Sequence, residues 1–190
     1  MLVAADLPER IKGLILLNSA GRFGVLNPLG IEIPLLKWPP IAKRLGKFLF
    51  ENARDPDGVR STLKSVYHDK MAVTDELVQL ILKPATTAEA EAAGPVLFAS
   101  LFTAAQGRGW KELLGGEKGY NGPLLLCWGR RDPWIVAAYV NELTSLRSDA
   151  DVAWVEAGHC PHDEAPEEVN TIIREWVLTC EQRQRAASLS

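Results

Sequence analysis

Three short apolar runs mark this chain: GLILLN at 13–18, PLLLCW at 123–128 and VAWVE at 152–156. The first two are apolar at nearly every position rather than at alternate ones. A strand with that pattern has no solvent face, so it belongs inside a parallel sheet covered by helices on both sides. Gly13 to Asn18 is therefore predicted as a central strand, with Pro123 to Trp128 and Val152 to Glu156 as the next two. Between these last two a helix is predicted over Ile135 to Leu146, with Val136, Leu143 and Leu146 available to one face. After the third strand, Pro166 suits a first helical position, and Val169, Ile172, Ile173 and Trp176 recur at helical spacing. Strand, helix, strand, helix predicts right-handed parallel crossovers.

The stretch from Ser19 to Gly122, between the first and second strands, occupies more than half of the chain. That is far more than the crossover helix a parallel pair needs. Its residues read as helices. Pro39 and Pro40 lead into Ile41, Leu45, Phe48 and Leu49, while Asp55 and Pro56 open a run containing Val59, Leu63 and Val66. Thr74 is placed to cap another helix, and TTAE from Thr86 to Glu89 has capping-box spacing. An inserted helical cap is the economical interpretation. Its leading segment is apolar at Leu26, Leu29, Ile31, Ile33, Leu35, Leu36 and Trp38, which suits either packing within the cap or a greasy lid over an apolar chain. From Lys37 to Lys70 basic residues outnumber acidic ones two to one. Such a run fits a solvated face and leaves open a weak contact with anionic membrane surfaces. The polar tail after Glu181 is expected to be disordered.

Composition narrows the picture further. With 190 residues, 47% of them hydrophobic, there is material for a full core. A formal net charge of -3 gives no basis for a nucleic-acid partner. No apolar run approaches the ~18 residues of a membrane helix, and neither a signal peptide nor a transit segment is seen near Met1. Cys127, Cys160 and Cys180 are odd in number and scattered, without disulfide or metal spacing, as expected in a reducing compartment.

Candidate chemistry sits after the last two strands. Asp132 lies in GRRDPW and His159 in EAGHCPHDE, each on the loop leaving the carboxyl end of a strand. Singly they are bland, since aspartate before proline is ordinary turn chemistry. Together they match the acid and base of a Ser-Asp-His triad in its α/β chain order. Histidine titrates near neutrality and can take a serine proton and return it to a leaving group, while the aspartate holds the Nδ1 proton. The nucleophile is missing, because no G-x-S-x-G occurs. LNSAG around Ser19 imitates that elbow but has Leu17 where the sharp turn needs glycine, so Asn18 and Ser19 are read instead as pocket lining at the sheet's carboxyl edge. Trp134 beside the acid reads equally as pocket wall or as core. His159, His162, Asp163 and Glu164 gather metal-ligand types, but Pro161 and the part assigned to His159 count against zinc. No metal and no cofactor is expected. His162 and Asp163 are expected to order the loop, and Cys160 to pack rather than react.

LPERIKGLILLNSAG, GRRDPW and AGHCPHDEAPEEVN resemble the C-terminal part of an α/β-hydrolase. With SVYHDKMAVTDELVQLILKPAT, the chain from Leu7 to Val177 is similar to the plant, algal and cyanobacterial group of pheophytinase-like plastid hydrolases. The resemblance implies an α/β fold class: the last three parallel strands with flanking helices, and an inserted helical cap. Residues 1–18 would hold the end of the nucleophile helix and a core strand, 19–122 the cap and return, 123–180 the C-terminal core with acid and base, and 181–190 the tail. It also implies a serine hydrolase of an apolar carboxylic ester, of phytyl type, located in the chloroplast or, in a cyanobacterium, the cytoplasm. The nucleophile is then expected about two helical turns ahead of Met1. The rival expectation is a non-catalytic binding or interaction protein of hydrolase ancestry, which the sequence encoded ahead of Met1 would distinguish.

Overall fold

A computed structural model describes residues 1–19, 38–103, 109–116 and 118–187. The chain begins with α1 (Leu2–Asp6) and β1 (Leu14–Leu17). Among the described residues four α-helices follow: α2 (Pro39–Ala53), α3 (Pro56–Val66), α4 (Asp75–Ala85) and α5 (Ala88–Thr103). The chain continues through α6 (Trp110–Leu114), β2 (Leu124–Gly129), α7 (Ala138–Leu146), β3 (Asp151–Val155), the short α8 (Pro161–Glu164) and α9 (Pro166–Ala187). These elements form two compact units, one built on the sheet and one made of α2 to α5.

In the sheet unit all three strands are parallel, in the order β1-β2-β3, with Leu16 opposite Leu126 and Trp128 opposite Trp154. Each lies within a residue of its expected ends. The centre belongs to β2 rather than to β1: all six residues of β2 are buried, whereas β1, which among the described residues pairs only with β2, buries Leu16 alone. Alternate side chains of a strand point to opposite faces. Thus Leu124, Leu126 and Trp128 join Leu16 against Trp110, Leu113 and Leu114 of α6 and Val140 and Leu143 of α7. Leu125 and Cys127 point the other way, toward Val169, Trp176 and Cys180 of α9, with Ile15 and Leu17 partly buried beside them. Helices on both faces are what the uninterrupted apolar pattern of β2 demands.

Two helix boundaries in this unit depart from expectation. α7 starts three residues late, at Ala138, leaving Val136 exposed. The Asp132 carboxylate takes the N–H groups of Trp134 and Ile135, and Trp128 Nε1 donates to Ile135 O at 2.8 Å, so the loop closes around the acid before a helix can begin. α9 continues as far as Ala187, into the segment expected to be disordered. Glu181, Gln182, Arg183, Gln184 and Arg185 are good helix formers, and Gln184 Nε2 reaches Lys12 O at 3.1 Å.

In the helical unit, Asp55 caps α3 by accepting from Gly58 N at 2.7 Å, and Thr74 caps α4 by accepting from Leu77 N at 3.2 Å. α3 buries Val59, Leu63 and Val66, as its spacing predicts. α2 buries a different stripe: Ala42, Gly46 and Phe50 lie inside, and Phe48 is 64% exposed. The small residues decide this. A Cβ on Gly46 would stand 2.4 Å from Ala99 N and 2.5 Å from Pro95 O, so α5 approaches where α2 has no side chain. Phe50 turns to Phe98, with ring centres 6.1 Å apart. The expected capping box at Thr86 is shifted by one residue. Thr87 accepts from Ala90 N at 3.1 Å, which leaves Glu89 one place short of the box, while Thr86 closes α4 by donating to Lys83 O. The expected apolar lid segment from Leu26 to Leu36 lies outside the described residues, and Trp38 is exposed. Among the described residues no helix is long and apolar enough to cross a membrane.

Candidate active site

The loops that leave β2 and β3 do so as a pair. Arg130 N donates to Val155 O at 2.8 Å and Arg131 N to Ala157 O at 3.0 Å, extending the parallel pairing past the strand ends. Gly129 makes this approach possible, because a Cβ there would lie 2.0 Å from Gly158 O. The two loops thereby set Asp132 and His159 together, with Nδ1 of the imidazole 2.9 Å from Oδ2 of the carboxylate.

Asp132 is 5% exposed and its oxygens are fully engaged. Oδ1 accepts from the N–H groups of Trp134 at 2.7 Å and Ile135 at 2.9 Å, and Oδ2 accepts from Asn18 Nδ2 at 2.5 Å while facing His159. Burial, the largest single influence, favours the neutral acid. Hydrogen bonds from His159, Asn18, Ile135 and Trp134 together outweigh it and hold the carboxyl below its ordinary range. An ionised carboxylate only accepts, so the proton shared with His159 sits on Nδ1 and leaves Nε2 as a basic lone pair. The imidazole side chain is 26% exposed, and the Trp134 ring lies 5.4 Å from it at a tilt of 41°. Trp134 itself is 41% exposed, which does not suit a place in the core.

Asn18, expected to line a pocket, faces inward instead. It is 3% exposed, and its amide is consumed by Asp132, by Gly158 O at 3.3 Å and by Gly129 N at 2.8 Å. Ser19 follows it, partly exposed, just past β1. His162 and Asp163 are exposed on α8. Glu164, considered above only as a metal-ligand type, braces the loop: its Oε1 accepts from Gly158 N at 2.9 Å and Cys160 N at 3.3 Å, bracketing the His159 backbone. The signal was present, since an acidic residue in the first turn of a helix begun by proline is placed to collect free N–H groups. Cys160 is a poor nucleophile. Burial first, then the charges of Glu164, Asp163 and Asp132, push its thiol up to about 11. Among the described residues no three His, Cys, Asp or Glu side chains gather as metal ligands.

Comparison with known proteins gives three kinds of likeness. The model of the Alpha/beta hydrolase family matches residues 1–172. The chloroplastic pheophytinase of Arabidopsis thaliana is 32% identical over 185 residues, covering 92% of this chain and 37% of that protein. Among solved structures, a membrane phospholipase A described as a bacterial virulence factor superposes with a TM-score of 0.65 at 22% identity, over 95% of this chain and 53% of that one. A meta-cleavage product hydrolase from Pseudomonas fluorescens gives 0.65 at 18% identity, over 94% and 60%. A thermophilic esterase from Thermogutta terrifontis gives 0.60 at 21%, over 93% and 59%. At these identities the solved structures show the shared fold. The chain spans about two fifths of the pheophytinase and just over half of the solved chains.

Proposed function

The chain belongs to the alpha/beta hydrolase family, and from that premise we propose that Asp132 and His159 are the acid and base of a serine esterase whose nucleophile lies outside these residues. The observation that carries this reading is the 2.9 Å approach of His159 Nδ1 to a buried, ionised Asp132, on loops leaving neighbouring parallel strands. In the proposed cycle His159 Nε2 takes the proton of the attacking serine and then delivers it to the departing alcohol. Asp132 stays ionised throughout, fixing the tautomer and stabilising the imidazolium. An acyl-serine forms and water cleaves it, with His159 activating the water in turn.

Two facts support a nucleophile from elsewhere: no G-x-S-x-G is present, and the chain matches only 37% of its pheophytinase relative. The proposed substrate is an apolar carboxylic ester, with Trp134 as an apolar wall beside the base. A phytyl-type ester and a chloroplast location rest on the 32% identity to pheophytinase. A fluorophosphonate probe tests the reading. The chain alone is expected to remain unlabelled; expressed with whatever its gene encodes ahead of Met1, it should label at a serine outside the present sequence and release alcohol from apolar esters. Labelling at Ser19 would reassign the nucleophile, and no labelling in any form would favour the non-catalytic rival.

A further inference from the structure

We propose that Asn18 is a positioning residue that aims the Asp132 carboxylate at His159, a role that rests on the acid–base reading above. Asn18 sits just past β1 with φ at 37°, in the left-handed region that asparagine enters more readily than most residues. Its side-chain amide reaches the end of β2 and the loops that leave β2 and β3. Oδ1 accepts from Gly129 N at 2.8 Å, at the end of β2, and Nδ2 donates to Gly158 O at 3.3 Å, beside His159. These contacts fix which way the amide points: Gly129 offers a donor and Gly158 an acceptor, so only the NH2 group can face Asp132. The contact it makes there, 2.5 Å to Oδ2, is the shortest of the three.

A mere strap between strand ends would need only the Gly129 and Gly158 contacts. The third bond goes to the same oxygen that faces Nδ1 of His159, so it fixes the carboxylate plane against the imidazole and favours the ionised form. Among the described residues, the other ionisable groups acting on Asp132 or feeling its charge are His159 and Cys160. Asn18→Asp keeps the shape of the side chain and the acceptor for Gly129 N–H, but gives up the donor to Gly158 O and sets a second carboxylate against Oδ2, and two carboxylates in one site share a proton.

The test is a carbon-13 titration of aspartate carboxyl groups in this 190-residue chain, with the low-field Nδ1–H proton resonance of His159 followed alongside. Asn18→Ala is expected to move the Asp132 titration upward, and Asn18→Asp to move it upward by about one pH unit or more. The Nδ1–H signal should persist in the native chain and weaken in Asn18→Asp at pH values below the raised titration, where the shared proton neutralises the Asp132 carboxylate. Asn18→Ser carries the same titration should the aspartate variant fail to fold. A native Nδ1–H signal that Asp132→Asn leaves untouched would sink the acid–base reading itself. A signal that Asp132→Asn abolishes, with Asp132 titrating unchanged in every Asn18 variant, would leave that reading standing and overturn the role of Asn18. In an esterase-active form containing the chain, Asn18→Ala should lower kcat by about 10- to 100-fold with KM within about threefold, as misaiming of a catalytic group does. A rise in KM at constant kcat would assign Asn18 to substrate binding and overturn the proposal.

Discussion

Four donors surround the Asp132 carboxylate, and their sum outweighs the cost of burying a charge. This has a consequence for stability. A carboxyl whose folded-state pKa lies below its ordinary value of about 3.9 contributes stability in full above that value and loses it as the pH falls through the lowered one. The native chain should therefore be more stable to urea than Asp132→Asn near neutral pH, and that lead should shrink once the pH drops below about 4. A lead that stays constant down to about pH 2 would mean that the carboxylate is not held ionised by its neighbours. At this scale the pairing of Asp132 with His159 was legible in the sequence, since each sits on the loop leaving one of two successive strands. Asn18 was legible as a residue at the site but not in its role, because its partners lie 111 to 140 positions away and only the folded sheet brings them together. Glu164 acts within six positions of its partners and was readable.

Among the elements, the strands were the most legible, because an uninterrupted apolar run of strand length leaves few alternatives inside a covered sheet. Helix faces and ends were less so. The buried stripe of α2 is set by the absence of a side chain at Gly46, and the start of α7 by backbone N–H groups committed to Asp132; apolar spacing records neither. Two glycine substitutions separate packing from chemistry. Gly46→Ala meets the α5 backbone at 2.4 Å and should cost about 1–3 kcal/mol in chemical denaturation while leaving the Nδ1–H resonance of His159 in place. Gly129→Ala meets Gly158 O at 2.0 Å and must push the β3 loop away. It should therefore lose both stability and that resonance. Retention of the resonance in Gly129→Ala would show that the close approach of the two loops is not what pairs Asp132 with His159.

For the molecule as a whole, the motifs that ended the strands were enough to identify the family, and the long interval between β1 and β2 marked an inserted group of helices. The substrate was not legible in the same way. One fold hosts many chemistries, and selection of an ester depends on surfaces that no local motif encodes. The site of this chain is an acid and a histidine held as a pair, with asparagine and glutamate supports behind them. The most direct measurement of their purpose is made in the shortest polypeptide containing this chain that takes a fluorophosphonate label. There, His159→Ala should lower kcat/KM for a p-nitrophenyl ester by about 10³-fold or more, whereas His162→Ala, exposed on α8, should stay within about threefold of the native value. Equal loss in the two variants, or undiminished turnover without His159, would contradict the assignment of the base.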